Sequence, residues 1–360
     1  MSKKLIGQVM TGLGCAAASF VAIADSDSPL AQGRFAMAGY GDVSYISADG
    51  GNDAFASRFI PIFLYQVNDK IHIESELEFG IGEDGETETE LEYADLHYYL
   101  TDSTVITAGK FLLPFGQFGP NLHPSWINRL PSMPGIYGGH GGNGTMTPLL
   151  PLLSDVGVSA SQTINLGGES RLFIDAYMVN GPKDDFEDGE LHGAEFEPSN
   201  SDNNDSKALG GRIAYAWLPR LEVGASFYQG AYDPGGNLDF MATGIDFNYI
   251  AGFYTVRGEY IKTEMDKQEV PADPVTQEDR NGWYLQGSWQ ARQLNIDSLN
   301  PVELVLRRSE INKIDGGERW TVGANYWLSP STALKLAFED TSLDSGEDDN
   351  RIFTQLAFGF

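Results

Sequence analysis

The chain has 360 residues, 41% hydrophobic and 12% aromatic, which is too apolar and too aromatic for a disordered segment. A formal net charge of -28, from Lys+Arg 23 against Asp+Glu 51, excludes a nucleic-acid partner, because neutralising phosphates needs clustered Lys and Arg. The single cysteine, Cys15, excludes a disulfide framework, a thiolate metal site and a Cys nucleophile in the body of the protein.

Residues 1–24 read as a secretory signal. Lys3 and Lys4 form a positive start, an apolar stretch follows, and Ala22-Ile23-Ala24 is a small-x-small cleavage site before Asp25. A lipoprotein signal is the competing reading because of Cys15, but Leu13 stands at the wrong offset for it. The remaining 25–360 read as one domain, and the mature chain has no cysteine. No later stretch offers the roughly 20 consecutive apolar residues of a transmembrane helix. Period-two alternation in segments of about ten residues runs to the end instead, which is the signature of a transmembrane antiparallel β-barrel.

In chain order, the first such segment spans Gly39 to Tyr45. At 55–66 the faces cannot be told apart, since Ile60, Ile62 and Leu64 alternate with the equally apolar Phe59, Pro61, Phe63 and Tyr65. The next is clear: Ile71, Ile73, Leu77, Phe79 and Ile81 oppose His72, Glu74, Glu76 and Glu78, and three carboxylates on one face need water. Further on, Val256 and Tyr260 oppose Arg257 and Glu259, Trp283, Leu285 and Trp289 oppose Tyr284 and Gln286, and Leu304 and Leu306 oppose Glu303 and Arg307. Trp320, Val322, Tyr326 and Leu328 oppose Thr321 and Asn325. The walk gives about sixteen strands, or about 21 residues per strand and connection, with fourteen to eighteen left open. That length leaves no room for a plugged transporter of about 22 strands.

Connections alternate in length. Tight turns at 68–69, 101–102, 165–169, 218–220, 251–252 and 328–331, with a longer one at 292–300, define one end, expected to be periplasmic. Longer polar segments at 46–54, 82–88, 113–154, 182–206, 229–238, 263–280, 310–318 and 341–349 define the other. The sequence ends in an alternating row, Ile352, Thr354, Leu356, Phe358 and Phe360. This resembles the closing strand of outer-membrane proteins, and the resemblance implies that the barrel-assembly machinery recognises Phe360.

Lys110-Phe111-Leu112-Leu113-Pro114-Phe115-Gly116 ahead of a long loop, together with Gly39 to Tyr45, Arg257-Gly258-Glu259-Tyr260 and Val322 to Trp327, resembles the porins grouped around the phosphate-selective O and P type. The resemblance implies a sixteen-stranded passive channel of the bacterial outer membrane, commonly a homotrimer, whose third extracellular loop, 113–154, folds into the lumen and narrows it. Where phosphate-selective members rely on basic residues, this sequence departs. The faces expected to point inward carry Asp42, Glu74, Glu76, Glu78, Asp95, Asp175, Glu222, Asp246, Glu259, Glu303 and Glu339 against Lys110, Arg212, Arg257, Arg307 and Lys335. Such an acid excess concentrates cations.

The 113–154 segment holds no Asp or Glu; its one full charge is Arg129, with His123 and His140 as partial ones. The expected pore lining is therefore Glu74, Glu76, Glu78, Asp95, Lys110, Arg257, Glu259 and Arg307 on the wall, and His123, Arg129 and His140 on the loop, with the loop cations opposite the carboxylates of 74–78 and 95. Enzyme chemistry finds no support: there is no G-x-S-x-G elbow and no H-E-x-x-H, and the five histidines are scattered. No cofactor or metal is expected. The expectation is a diffusion porin for small polar solutes or ions with a weak cation preference, surrounded by outer-membrane lipid and lipopolysaccharide. The alternative of another class is a non-conducting barrel that binds or adheres through its acidic loops.

Overall fold

The computed structural model describes residues 34–49, 53–82, 85–138, 146–187, 190–196, 203–268, 274–312, 316–346 and 348–360. The signal reading of 1–24 and His140 lie outside the described residues. No helix among them is long and apolar enough to cross a membrane.

Sixteen antiparallel strands close into one barrel. They are β1 (Phe35–Ala48), β2 (Ala54–Asn68), β3 (Ile71–Ile81), β4 (Thr87–Thr101), β5 (Thr104–Leu112), β6 (Ser154–Gly167), β7 (Ser170–Val179) and β8 (Ala208–Trp217). There follow β9 (Leu221–Ala231), β10 (Asp239–Ala251), β11 (Tyr254–Lys267), β12 (Thr276–Gln290), β13 (Val302–Asn312), β14 (Gly317–Ser329), β15 (Thr332–Leu343) and β16 (Asp348–Gly359). Each strand pairs with its sequence neighbours, and β1 closes on β16 from Tyr40↔Gly359 to Ala48↔Arg351. Closure leaves no unpaired edge, the condition for a sheet in a medium that offers the backbone no hydrogen bonds.

Burial is inverted relative to a water-soluble sheet. In β13, Glu303, Val305, Arg307 and Ser309 are buried, whereas Leu304 and Leu306 are 45% and 48% exposed. The same alternation puts Val322, Tyr326, Leu328, Leu334, Leu336 and Phe338 outside. An apolar row facing out and a polar row facing in is the pattern of a barrel set in lipid, and the molecule is an outer-membrane β-barrel. β2 resolves the face that the sequence left open: Ile60 is fully buried inward and Phe59 is 48% exposed.

The outward row of β16 closes the seam. Phe360 stacks on Phe59 of β2 with ring centroids 5.5 Å apart, crossing over β1. Gly39 and Gly41 of β1 lie beneath the Phe360 and Phe358 rings, where a Cβ would collide with them. Backbone bonds Gly39 N to Phe360 O (3.0 Å) and Phe360 N to Gly39 O (2.9 Å) carry the ladder to the last residue.

Two local departures from regular alternation matter for the interior. A register shift between Glu76 and Leu77 opposite β4 brings both Glu92 and Tyr93 toward the Glu76 level. The 182–206 segment, expected as a polar loop, contains a hairpin of Lys183–Glu187 with Glu190–Glu195.

Candidate pore

The segment 113–154 leaves the end of β5 and bonds to inward-facing side chains of many strands. Its backbone lacks ladder partners, so each buried N–H and C=O needs another. Gly116 N donates to Ser226 Oγ of β9 at 3.0 Å. The amides of Gln117 and Phe118 donate to Glu259 Oε1 of β11 at 3.2 and 2.7 Å. Tyr137 donates to the other oxygen at 2.5 Å, and Tyr284 of β12 to Oε1 at 3.1 Å. One buried carboxylate thus gathers four donors, three of them from the segment. Burial, and after it the Glu259 charge, hold the Tyr137 hydroxyl well above the usual tyrosine range, which keeps it a donor. Gly116 has φ +63 and no room for a Cβ beside Glu259, so both backbone and space require glycine there.

The carbonyls are met by cations. Arg307 of β13 donates to Ser132 O (3.0 Å), Ser132 Oγ (2.7 Å) and Met133 O (2.8 Å), and Ser132 Oγ in turn donates to Glu339 of β15 at 2.6 Å. Lys335 donates to Ser125 O and, at 2.7 Å, to Asn128 O. Arg280 of β12 donates to Pro148 O and Thr147 O. The apolar side of the segment, with Phe115, Phe118, Met133 and Ile136, packs in one cluster with Tyr177, Tyr228, Phe240, Tyr284 and Ile311 from the inner wall.

The sequence-expected residues divide into two groups. Glu259 and Arg307 are 5% and 0% exposed and hold the segment. Arg257, 6% exposed, meets the Gln286 amide, whose oxygen accepts from Nε at 3.1 Å and Nη2 at 3.0 Å. The second group lies on β3 and β4. Glu74 and Asp95 are cross-strand partners, and His97 Nε2 is 2.9 Å from Asp95 and 4.0 Å from Glu74. Glu76 accepts from Tyr40 of β1 at 2.9 Å. Glu78 is 3.9 Å from Arg58, which binds Asp42 at 2.8 Å. Lys110 donates to Leu91 O at 2.7 Å.

One loop cation, Arg129, is not placed as the sequence suggests. Arg129 does not face the carboxylates of β3 and β4: its guanidinium lies over the Trp327 ring at 4.8 Å and 3.7 Å from Glu303 of β13. The reason is local. Asn325 of β14 holds Arg129 O at 2.9 Å, and Glu303 already gathers Trp327 and Asn325 as donors, so a cation completes that cluster. His123 does reach the acidic wall, through Tyr40 at 3.2 Å.

Sequence reasoning missed Arg58, Glu92, Arg319 and Tyr40 as inward groups. For Glu92 a signal existed, since Leu91 and Leu96 are both outward yet of opposite parity, which requires a bulge between them.

No family model matches the chain, and no curated protein matches it. Solved structures do. An anion-selective porin from Comamonas acidovorans shares 16% identity, covering 91% of this chain and 99% of that one, with a TM-score of 0.59. The outer membrane channel DcaP of Acinetobacter baumannii shares 14%, covering 94% and 100%, with a TM-score of 0.59. OmpT of Vibrio cholerae, an outer membrane protein solved in trimer form, shares 12%, covering 91% and 99%, with a TM-score of 0.55. At these identities the likeness is one of fold.

Proposed function

We propose that the protein is an outer-membrane diffusion channel for small polar solutes and ions, and that 113–154 is its constriction loop, folded into the lumen. The observation that carries the reading is the one-sided attachment of that segment. Its hydrogen bonds and apolar contacts engage β9 to β15 most heavily, and it reaches β1 by His123 and by Ser125 Oγ, which donates to Gly41 O at 3.3 Å. The passage then runs past β3 and β4, where Glu74 and His97 keep 14% and 23% of their side-chain surface exposed.

A weak cation preference follows from what stays wet. Arg307, Lys335 and Arg319 are taken out of solvent by the loop and by Thr341, whereas Glu74 and, on β9, Glu222 remain partly exposed. Arg129, with 32% of its side chain exposed, is the main opposing charge. The phosphate selectivity suggested by the O and P resemblance is not part of this reading. The comparison with a trimeric outer membrane protein supports a homotrimer, and the stacked Phe358 and Phe360 row, with Phe360 exposed, supports recognition by the assembly machinery.

Planar-bilayer recording of the purified barrel tests the channel. Stepwise conductance is expected. A folded barrel that inserts without conducting would overturn the reading in favour of a closed binding platform.

A further inference from the structure

His123 is the point where the segment touches the acidic wall, and the polarity of its hydrogen bonds constrains its charge. Nδ1 lies 2.5 Å from Gly119 O, a carbonyl that can only accept, so Nδ1 carries a proton. Nε2 lies 3.2 Å from Tyr40 Oη, and Tyr40 Oη lies 2.9 Å from Glu76 Oε1. The phenol has one hydrogen to offer. If it goes to a Glu76 carboxylate, Nε2 must itself donate to Tyr40, and His123 is an imidazolium. If it goes to Nε2, Glu76 must be a carboxylic acid donating to Tyr40. Both arrangements carry the same number of protons, and in both the summed charge of His123 and Glu76 is zero.

We propose that His123 is a positioning residue that fixes the constriction loop against the β3 wall through a one-proton chain, His123–Tyr40–Glu76, and that losing this proton releases the loop tip. Removal of the proton leaves two lone pairs facing each other at one of the contacts, either Nε2 against Tyr40 Oη or Tyr40 Oη against Glu76. Buried polar groups that lose a partner in this way destabilise the contact outright. The groups facing the chain are Glu78 of β3, Arg58 of β2, Glu92 and Tyr93 of β4, and Asp42 of β1. Of these Arg58 is engaged by Asp42 and Glu78, so it does not replace the proton. Tyr40 pairs with Ile60 of β2 and reaches across it to Glu76, so its phenol links the loop to the β3 wall at this level.

The inference rests on the reading of 113–154 as a constriction loop, but its test does not depend on conductance. With Cys15 in the expected signal, the mature barrel has no native thiol, so spin labels at Asn121→Cys and Ser161→Cys report the distance from the loop to β6 in bilayers. Spectra are compared at about pH 5 and about pH 9, on either side of the ordinary imidazole value of about 6.5. The expected result is a narrow distribution at the lower pH that broadens at the higher, and a Tyr40→Phe barrel, folded by gel mobility, that is broad at both. A His123→Ala barrel should match Tyr40→Phe. A wild-type distribution that is the same at both pH values overturns the proposal, as does a Tyr40→Phe barrel that keeps the wild-type response. Failure of conductance with this pH response intact would refute the channel and leave the tether standing.

Discussion

Glu259 shows how much depends on one side chain. Its two oxygens accept from two backbone amides and two phenols at 5% exposure. Glu259→Gln keeps the shape but replaces one acceptor by an amide donor facing Tyr137 or the amides, which costs about 1.5–3 kcal/mol for charge-assisted bonds. The expected outcome is faster hydrogen exchange at Gln117 and Phe118 with the barrel strands still protected; unchanged exchange at these two amides would show that the loop is held elsewhere. Arg129→Ala should raise cation preference slightly, because its partly exposed guanidinium is the principal cation left in the passage. A reversal potential that moves toward anions in this variant would refute that role. The inward parity of Glu259, Arg257 and Arg307 could be read from the period-two alternation. The burial of Glu259 and Arg307 could not, because it comes from a segment more than 120 residues away in sequence that no local pattern connects to them.

At the level of elements, the strands and the alternation of tight turns with long connections were legible, and the internal structure of the long connections was not. Alternation identifies a strand wherever one face meets lipid and the other meets polar groups, as in β13 and β14. It fails in β2, where Ile60 faces inward beneath Tyr40 and both faces are therefore apolar. It fails again at the β3–β4 shift, where one extra residue reverses the parity. The hairpin within 182–206 escaped because acidic residues crowd both of its strands. The seam yields a prediction of its own. Phe360→Ala together with Phe358→Ala uncovers Gly39 and Gly41 and removes the stack on Phe59, so the yield of heat-modifiable folded barrel should fall sharply while export continues. Aromatic pairs of this kind contribute about 0.5–1.5 kcal/mol each beyond their buried area. An undiminished yield would show that β1–β16 backbone pairing closes the barrel unaided.

For the whole molecule, a sixteen-stranded closed barrel with an apolar outside and a charged inside commits the chain to the outer membrane, and the proposed assembly is a homotrimer. Crosslinking in native membranes should yield a trimer band that Glu259→Gln does not alter, since that side chain lies within one protomer; a monomer alone would remove the assembly from the account and leave the pore. The channel itself is decided by its ion preference. Charges in a water-filled passage are screened over about 8 to 10 Å at physiological salt, so the preference should be modest and should weaken as salt rises. The most direct measurement is the reversal potential of the wild-type channel in a potassium chloride gradient, alongside Glu74→Gln with Asp95→Asn. The account predicts a cation-preferring wild type and a smaller preference in the double variant; an anion-preferring wild type, or a double variant identical to it, would contradict the assignment of β3 and β4 as the open wall of the pore.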